Sequence, residues 1–489
     1  MNKNIIPKIL SVFCLLLLSL PFLFCTSTLW LMAFQSYNPT QGLFGSSFVG
    51  ISNIQDFLHN TELLRMLKNT LNINIFTMVL GATYLFISML AVNVFQNRFV
   101  RPIVTLIFVL PAIISPSAYL IMVQAIFSTE TLINSSVLLQ VIAAFVSALR
   151  FSSVFLIASL FTKEKSVPHA QKYTLLYIAF KLIHIFATDI SFMQSFYNPL
   201  TYEHLDTYST FQMRNGLMHS AFSNYAGGYV VQLLLQLFPA LFGIFIIASP
   251  YRSKWTAKKS AVIDYQAYDT GNRVYLPCVL FAGIPLALFL LSWKTCGLGG
   301  LTLSQPDIQQ AYTYSILIAG SSAVAVVVFG LFLAASCYHL NSIGIGFAAF
   351  LYFLSDTLLA PYIFGRTLGF LNTFMGPLIQ NMHLILPMGI IAFCIMKEHR
   401  RKNLLPSLMI ASLGLAFSWF WGDHLAPMIT LSDIDKYPFS MLMYQSLNQP
   451  ATGQTSGFLA TNAALYIIVP VIVTGICFLI SSLLLKKYE

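Results

Sequence analysis

Long apolar runs separated by short polar stretches occupy almost the whole chain. A membrane-spanning helix needs about 20 predominantly apolar residues, and hydropathy along the sequence predicts twelve such spans. The predicted spans are 9–33, 70–95, 102–127, 137–161, 174–196, 226–249, 274–293, 311–336, 343–364, 373–396, 404–424 and 463–485. The pattern therefore predicts an all-α polytopic membrane protein with about 12 transmembrane helices.

Basic residues are concentrated in alternate connecting segments. If the N-terminus is inside, 18 of the 26 Lys and Arg residues fall in cytoplasmic segments, where such residues accumulate. This asymmetry predicts that both termini are cytoplasmic. The run 9–33 has no small-x-small cleavage site, so we expect it to remain as the first helix. Lys181, inside the span 174–196, is expected to extend its ammonium group toward the cytoplasmic interface.

The composition excludes several function classes. The chain has 57% hydrophobic and 9% charged residues, whereas an average soluble domain carries roughly 25% charged residues. A water-soluble enzyme, a nucleic-acid-binding domain and a disordered scaffold are therefore excluded. The seven cysteines include no CxxC pair and show no metal-ligand spacing, so we interpret them as small core residues and expect no metal or cofactor.

A polar, basic stretch divides the predicted spans into two sets of six. Residues 251–273 are predicted to be a cytoplasmic linker between a first half, 1–250, and a second half, 274–489. A short echo supports duplication: the segments 126–135 and 363–373 both begin Ile-Phe and end in Leu/Ile-Asn followed by Ser or Thr. Transporters with internal repeats have their site between the two similar halves.

The longest outer segments are rich in Tyr, Phe, Asn, Thr and Gly. They cover 34–66, 193–225 and 425–462, which is too short for separate domains. They are interpreted either as the outer rim of a pathway or a docking face for an external partner, or as ordinary connecting loops.

Among the ionisable residues inside predicted spans, where charge is costly and usually functional, four are candidates for the pathway. Arg150 is expected either to contact a solute or to form a buried ion pair, with Asp189 as its candidate partner. Asp356 is expected either to bind solute hydroxyls or a proton, or to cap a helix break. His383 either adds donors to a solute site or is a satisfied core histidine.

Short motifs in the first half resemble a known family. The stretches Phe48-Val-Gly-Ile-Ser-Asn53, Lys68-Asn-Thr-Leu71 and Leu110-Pro-Ala-Ile-Ile-Ser-Pro116 are similar to the "F-V-G-L-x-N", "N-T-L" and "L-P-x-x-x-S-P" motifs of maltose-type ABC importer permeases. The second half resembles the other permease subunit of the same importers. Its matching stretches are Ser292–Thr295, Leu368–Thr373, Phe420–Pro427 and Leu431–Tyr437.

This resemblance implies two permease subunits fused in one chain around a single path for a sugar-like solute. It also implies a bacterial cytoplasmic (inner) membrane location, an ATPase subunit and an extracytoplasmic solute-binding protein. Trp421 and Asp423 match family positions at the outer end of the eleventh span. There Trp421 is expected to anchor at the interface, and Asp423 to bind backbone or a neighbouring loop.

The chain departs from the family in its coupling loops. The family's permeases carry an E-A-A-x-x-x-G cytoplasmic loop that docks on the ATPase, but the corresponding stretches here, 161–173 and 397–403, lack it. Because a helix rises about 1.5 Å per residue, the second stretch is too short for an exposed coupling helix. The residual candidates for ATPase contact are Lys163, Pro168, Arg400 and Arg401.

The sequence lacks the GxxxxGK[ST] phosphate loop, so we do not expect the chain to be an enzyme or its own motor. The first hypothesis is the permease subunit of a binding-protein-dependent importer for a small polar solute, carbohydrate or polyol. The second is a transport-inactive homologue that serves as a membrane scaffold or sensor without ATPase coupling. The third, a twelve-helix secondary transporter, lacks its usual G-x-x-x-D-R-x-G-R loop at 96–102.

Overall fold

The computed structural model is predominantly helical in the residues it describes. These are 5–95, 97–127, 131, 135–161, 167–196, 201–218, 220–251, 275–295, 306–399, 404–448 and 453–487. Within these ranges the only sheet is an antiparallel pair of two-residue strands, β1 (Gln35–Ser36) and β2 (Ser47–Phe48). The chain is an all-α, multi-pass membrane protein.

The N-terminal helices are those that precede the predicted linker. They are α1 (Ile5–Ala33), α2 (Gly42–Gly45), α3 (Ser52–Leu58), α4 (Leu63–Val94), α5 (Val100–Ile113), α6 (Pro116–Ile126), α7 (Ser136–Ser153), α8 (Val167–Ile183), α9 (Ile190–Phe196), α10 (Tyr202–Leu205), α11 (Tyr208–Gln212) and α12 (Phe222–Ala248). Three short segments with other helical geometry, Val154–Leu160, Met213–Met218 and Ser249–Tyr251, extend α7, α11 and α12.

The C-terminal helices are those that follow the linker. They are α13 (Tyr275–Thr295), α14 (Pro306–Leu340), α15 (Ser342–Leu354), α16 (Leu359–Thr367), α17 (Met375–Gln380), α18 (Ile385–His399), α19 (Leu404–Trp421), α20 (Leu425–Thr430), α21 (Phe439–Asn448) and α22 (Gly453–Lys487). Two 3-10 turns, Met382–Leu384 and Ile434–Lys436, lie before α18 and α21.

Fewer helices of membrane-spanning length are seen in the described residues than the sequence predicts. Among the described residues, seven helices are long and apolar enough to cross a membrane, or nine if each of two sharply bent pairs is one span. The predicted span 174–196 is not one helix, because α8 ends at Ile183 and α9 begins at Ile190. The predicted span 373–396 is likewise divided between α17 and α18. The count of twelve stays a prediction.

Two helices are sharply bent, one in each set. The bend between α5 and α6 is 82°, and the bend between α15 and α16 is 93°. At the first bend Pro116 cannot donate a backbone hydrogen bond, and Ser115 Oγ accepts from Ala118 N at 3.2 Å to cap α6. At the second bend Asp356 Oδ2 accepts from Ala360 N at 2.8 Å.

The same pattern of helix packing occurs in both sets. Helix α4 packs against α7 and α8, and α14 packs against α18 and α19; α12 packs on α8, and α22 packs on α19. The first helix of each set crosses to the other set: α1 packs against α14, α15 and α16, whereas α13 packs against α4, α5 and α6. The two sets are therefore interlocked rather than side by side.

Small residues allow the closest of these approaches. A Cβ atom on Gly389 of α18 would lie 2.9 Å from the carbonyl oxygen of Gly330 of α14. A Cβ atom on Gly243 of α12 would lie 2.6 Å from the carbonyl oxygen of Ala179 of α8. Only glycine fits at these two positions, because a Cβ atom would overlap the facing carbonyl oxygen. The close approach of the backbones in turn increases van der Waals contact between the helices.

Candidate functional site

A cavity of about 200 Å³ lies between the N-terminal and C-terminal helices. Its N-terminal wall comes from α7, α8 and the start of α9, and its C-terminal wall comes from the α15–α16 bend, α17, α19 and α20. This volume is below the roughly 300–1,000 Å³ of sites for drug-sized ligands, so it suits a small solute. Polar lining residues from both walls are Ser147, Lys181, His184, Thr188, Asp189, Ser191, Ser355, Thr357, Gln380, Asn381, His383 and Asp423.

Asp189 lines the cavity and holds the guanidinium of Arg150 behind the cavity wall. Arg150 Nη1 donates to Asp189 Oδ2 at 2.6 Å, and the arginine side chain is buried. The guanidinium also lies over the ring of Trp419, 5.0 Å from its centroid. The ion pair expected from the sequence is present. Trp419, which the sequence did not single out, links it to the C-terminal wall.

Lys181, in the last turn of α8, and His184, directly after that helix, form the next part of the wall. Lys181 Nζ lies 5.3 Å from the centroid of the Phe151 ring. Lys181 lines the cavity and is distant from the start of α8 at Val167, which is the end that the charge pattern predicts to be cytoplasmic. Fourteen residues (181 − 167) separate the two positions, so Lys181 lies roughly 21 Å along the helix. His184 Nε2 donates to the carbonyl oxygen of Tyr352 at 2.7 Å, because a carbonyl can only accept.

Asp423 organises the opposite wall. Its Oδ2 accepts from Asn381 Nδ2 at 3.0 Å, and its Oδ1 accepts from Leu425 N at 3.0 Å, so the carboxylate caps α20 and orients the amide. Asp423 thus binds backbone and a neighbouring segment, as expected, and also lines the cavity. His383 lines the same wall, with Nδ1 3.2 Å from the carbonyl oxygen of Gln380.

Asp356 lies beside the cavity but is not among its lining residues. Its Oδ1 accepts from Tyr225 OH at 2.7 Å, and its Oδ2 caps α16 through Ala360 N. Its sequence neighbours Ser355 and Thr357 line the cavity instead. Of the two roles expected for Asp356, the geometry is that of the helix cap.

Side chains from the N-terminal helices satisfy the backbone at the α15–α16 bend. The carbonyl oxygen of Leu354 accepts from Tyr229 OH at 2.6 Å and from Thr26 Oγ1 at 3.0 Å. Within a bilayer a carbonyl freed by a helix break must find a protein partner. The bend therefore joins the two sets of helices where they border the cavity.

Trp421 is in the protein core, not at the membrane interface. Its side chain is 2% exposed, and its Nε1 donates to the carbonyl oxygen of Tyr466 at 2.8 Å. The expected interfacial anchoring is therefore wrong. The reason is packing: α19 and α22 enclose the indole together with the rings of Tyr312 and Phe417.

Apolar side chains line a second, smaller cavity beside the polar one. This cavity of about 70 Å³ shares Phe151, Leu384 and Trp419 with the first and continues to Phe155 and Met388. The polar chamber therefore has an apolar neighbour on this side.

A polar contact joins the helix sets at the end that the charge pattern predicts to be cytoplasmic. Glu398 Oε1 lies 2.8 Å from His169 Nδ1, and Oε2 lies 3.0 Å from Lys172 Nζ and 3.2 Å from Tyr173 OH. We call this the cytoplasmic clamp. Burial alone would raise the pKa of the Glu398 carboxyl, but the His169 hydrogen bond and the Lys172 charge outweigh it and hold that pKa below its ordinary value.

The predicted ATPase-contact residues surround this clamp in sequence. Pro168 is the second residue of α8 and is exposed. Lys163, Arg400 and Arg401 lie outside the described residues. Within the described part of the chain no group of His, Cys, Asp and Glu residues has the arrangement of a metal site.

Sequence reasoning missed the α8 contribution to the cavity. Lys181, His184 and Thr188 lie at i, i+3 and i+7 of the predicted span 174–196, the spacing of one helix face, and all three line the cavity, although α8 ends at Ile183 and Thr188 lies between α8 and α9. That spacing was visible in the sequence. The position of Gln380 and Asn381 on the opposite wall was not, because it depends on the division of the predicted span 373–396.

No family model matches the chain, and no curated protein matches it. One solved structure, described as "Crystal structure of bacterial alginate ABC transporter in complex with alginate pentasaccharide-bound periplasmic protein", shares 18% sequence identity at a TM-score of 0.35. The match covers 41% of this chain and 83% of that chain.

Proposed function

We propose that the chain is the membrane-translocation subunit of a binding-protein-dependent, ABC-type importer in a bacterial cytoplasmic membrane. The observation that carries this proposal is the polar cavity between the two helix sets. Ligand sites of transporters lie near the middle of the membrane, at the interface of structural repeats and beside broken helices. The cavity is between two sets with matching helix packing, and the α15–α16 bend forms part of its wall.

The lining chemistry suits a small carbohydrate or polyol. Asn381, Thr188 and Ser191 offer hydrogen-bond donors and acceptors, and the carboxylates of Asp189 and Asp423 accept from hydroxyl groups. The Trp419 ring supplies an apolar face. The negative charges of Asp189 and Asp423 are balanced by the positive charges of Arg150 and Lys181. A chamber without net charge favours a neutral solute.

Within the first set α8 packs against α4 and α12, and within the second set α19 packs in the same way against α14 and α22. This similarity supports a duplicated permease architecture, with residues 1–250 and 274–489 as its halves. The sequence motifs point to the same family. An external solute-binding protein and an ATPase subunit are the partners that this function requires, and the chain's own cytoplasmic face near Pro168 is where we place the ATPase.

Solute uptake by cells that depend on this chain tests the proposal. Asn381→Leu and Thr188→Val remove polar groups from opposite walls of the cavity, so each is expected to lower uptake at least about tenfold, which corresponds to about 1.4 kcal/mol. Thr83→Val on the exposed side of α4 is the matched control and should leave uptake unchanged. Unchanged uptake in both cavity variants, at equal membrane abundance, contradicts the proposal.

The cytoplasmic clamp favours a second candidate function, a transport-inactive permease homologue that acts as scaffold or sensor. Glu398 joins the two places where the family's coupling loops are expected, through His169 and Lys172. Such a contact leaves less free surface for a motor. Purification in mild detergent separates the candidates: a stoichiometric ATPase supports the importer, whereas its consistent absence supports the inactive homologue.

A further inference from the structure

The segment between α1 and α4 has an unusual surface for an extramembrane loop. Residues 34–55 contain no charged side chain, and the segment includes the β1–β2 pair, the short helix α2 and the start of α3. Phe44 is 98% exposed and Phe48 is 76% exposed. Val49 and Ile51 are exposed beside them. We call 34–55 the apolar collar.

The apolar collar is fixed to the ends of the spans. Asn53 Nδ2 donates to the carbonyl oxygens of Ala33 at 3.0 Å and Gln35 at 2.9 Å, and Val49 N donates to Phe34 O at 2.8 Å. These bonds tie it to the last turn of α1. Its exposed rings therefore keep a defined position relative to the bilayer.

A second set of contacts ties the collar to α12. Tyr37 N donates to Ser223 Oγ at 2.8 Å. Gly227 lies so close to Asn53 that a Cβ atom at this position would be 2.6 Å from the Asn53 carbonyl oxygen. The collar is thus held between the ends of two membrane-spanning helices.

The exposed rings continue the lipid-facing surface of α1. The ring centroids of Trp30 and Phe34 are 6.4 Å apart, and those of Phe34 and Phe48 are 6.5 Å apart. Trp30 and Leu31, in the last turn of α1, are exposed on the side that a membrane helix presents to lipid. The row of rings therefore leads from the membrane edge into the collar.

The next span also exposes apolar side chains. Leu58 and Leu64 are exposed at the end of α3 and the start of α4, and Ile75 and Phe76 are exposed further along α4. The contact of the collar's rings with the exposed end of α1 identifies the occupant.

We propose that the apolar collar is an interfacial anchor that lies in the headgroup region of the bilayer, with Phe44 and Phe48 inserted among the lipids. Aromatic rings concentrate at this depth, and removal of exposed apolar side chains from water is favourable. Because 34–55 has no charged residue, the anchor requires no anionic lipid. On the charge pattern of the chain, this is the outer leaflet.

Accessibility of a nitroxide label in nanodiscs tests this proposal. Phe44→Cys and Phe48→Cys carry the label. Asp56→Cys, which replaces an exposed acidic residue of α3, is the matched control. Labels at 44 and 48 should collide more with oxygen, which partitions into lipid, than with a water-soluble nickel chelate. The label at 56 should collide more with the nickel chelate than with oxygen. The nanodiscs contain zwitterionic phosphatidylcholine alone, because the anchor requires no anionic lipid.

Two results overturn the proposal. If the labels at 44 and 48 are as accessible to the nickel chelate as the label at 56, the collar lies in water. Labels shielded from both reagents indicate that another protein or a second copy covers it. Phe44→Trp gives a label-free check, because its fluorescence should be quenched by lipids brominated near the glycerol backbone more strongly than by soluble iodide; the opposite order also overturns the anchor.

Discussion

The two bent helices have similar shapes but different partners. At the α5–α6 bend, the carbonyl oxygen of Phe108 accepts from Tyr84 OH at 2.7 Å and from Ser153 Oγ at 3.2 Å, and Tyr119 OH donates to Pro111 O at 3.0 Å. All of these groups belong to the N-terminal helices. At the α15–α16 bend, the polar partners from Thr26, His184, Tyr225 and Tyr229 come from the opposite set.

The surroundings of the two bends differ in the same way. Gly422 closes over the first bend, where a Cβ atom would lie 3.1 Å from Ser115 Cβ. The second bend opens onto the polar cavity through Ser355 and Thr357. Each helix set thus contains a bend. The carbonyls of the first bend are bonded within its own set, and the bend packs against Gly422 of the other set. The second bend is bonded to side chains of the opposite set and opens onto the chamber.

The largest expected effect is the loss of stability when the helix cap at the α15–α16 bend is removed, compared with removal of the cap at the α5–α6 bend. Asp356→Ala removes the α16 cap, worth about 1 kcal/mol, and leaves Tyr225 OH without its acceptor, at a cost of about 1–3 kcal/mol. We expect a loss of roughly 2–4 kcal/mol in the free energy of unfolding in mixed micelles. Ser115→Ala should lose only about 1 kcal/mol. Equal losses contradict the difference between the bends.

A bulkier residue should be tolerated in the polar cavity but not against the α5–α6 bend. Gly422→Val introduces a side chain against Ser115 and is expected to destabilise the fold by about 1–3 kcal/mol. Ser191→Val, which extends into the cavity, should change stability by less than about 0.5 kcal/mol. The same unfolding titration measures both variants. A larger loss for the cavity variant would show that the chamber is not open space.

Removal of the hydroxyl groups that bridge the sets should weaken their association. Thr26→Val with Tyr229→Phe leaves the Leu354 carbonyl without these two donors, at about 1–2 kcal/mol. After tryptic cleavage of the basic linker 251–273, the two fragments of this variant should separate more readily on size exclusion in detergent. Tyr84→Phe with Ser153→Ala is the control, because those donors lie within one set. Equal separation contradicts the account.

The smallest effect concerns the cytoplasmic clamp and depends on pH. Because the folded-state pKa of Glu398 is lowered, its carboxylate stabilises the fold above the ordinary Glu pKa of about 4.3 and loses this contribution as pH falls through the folded pKa. Lys172→Met should cost roughly 0.2–1 kcal/mol at pH 7. The stability difference between the protein and Glu398→Gln should be larger at pH 7 than at pH 3; a difference that grows on acidification contradicts this sign.

Some of this arrangement follows from the sequence and some does not. The pairing of Arg150 with Asp189 could be predicted, because a charge in a span needs a partner. The cap at Asp356 was one of two open readings. The place of Lys181 could not be predicted, since it depends on α8 starting seven residues before the predicted span. Trp421 resembles an interfacial tryptophan until the packing of α19 and α22 is known.

Thiol modification tests the shared chamber most directly. Ser191→Cys and Ser355→Cys place equal-sized probes on the N-terminal and C-terminal walls, and Ser153→Cys at the closed bend is the control. The full chain in nanodiscs is treated with a small water-soluble maleimide, and each site is read by mass spectrometry. The account predicts that positions 191 and 355 react at similar rates, at least about tenfold faster than position 153. Reaction at neither wall, or at only one, contradicts a polar cavity shared by the two sets.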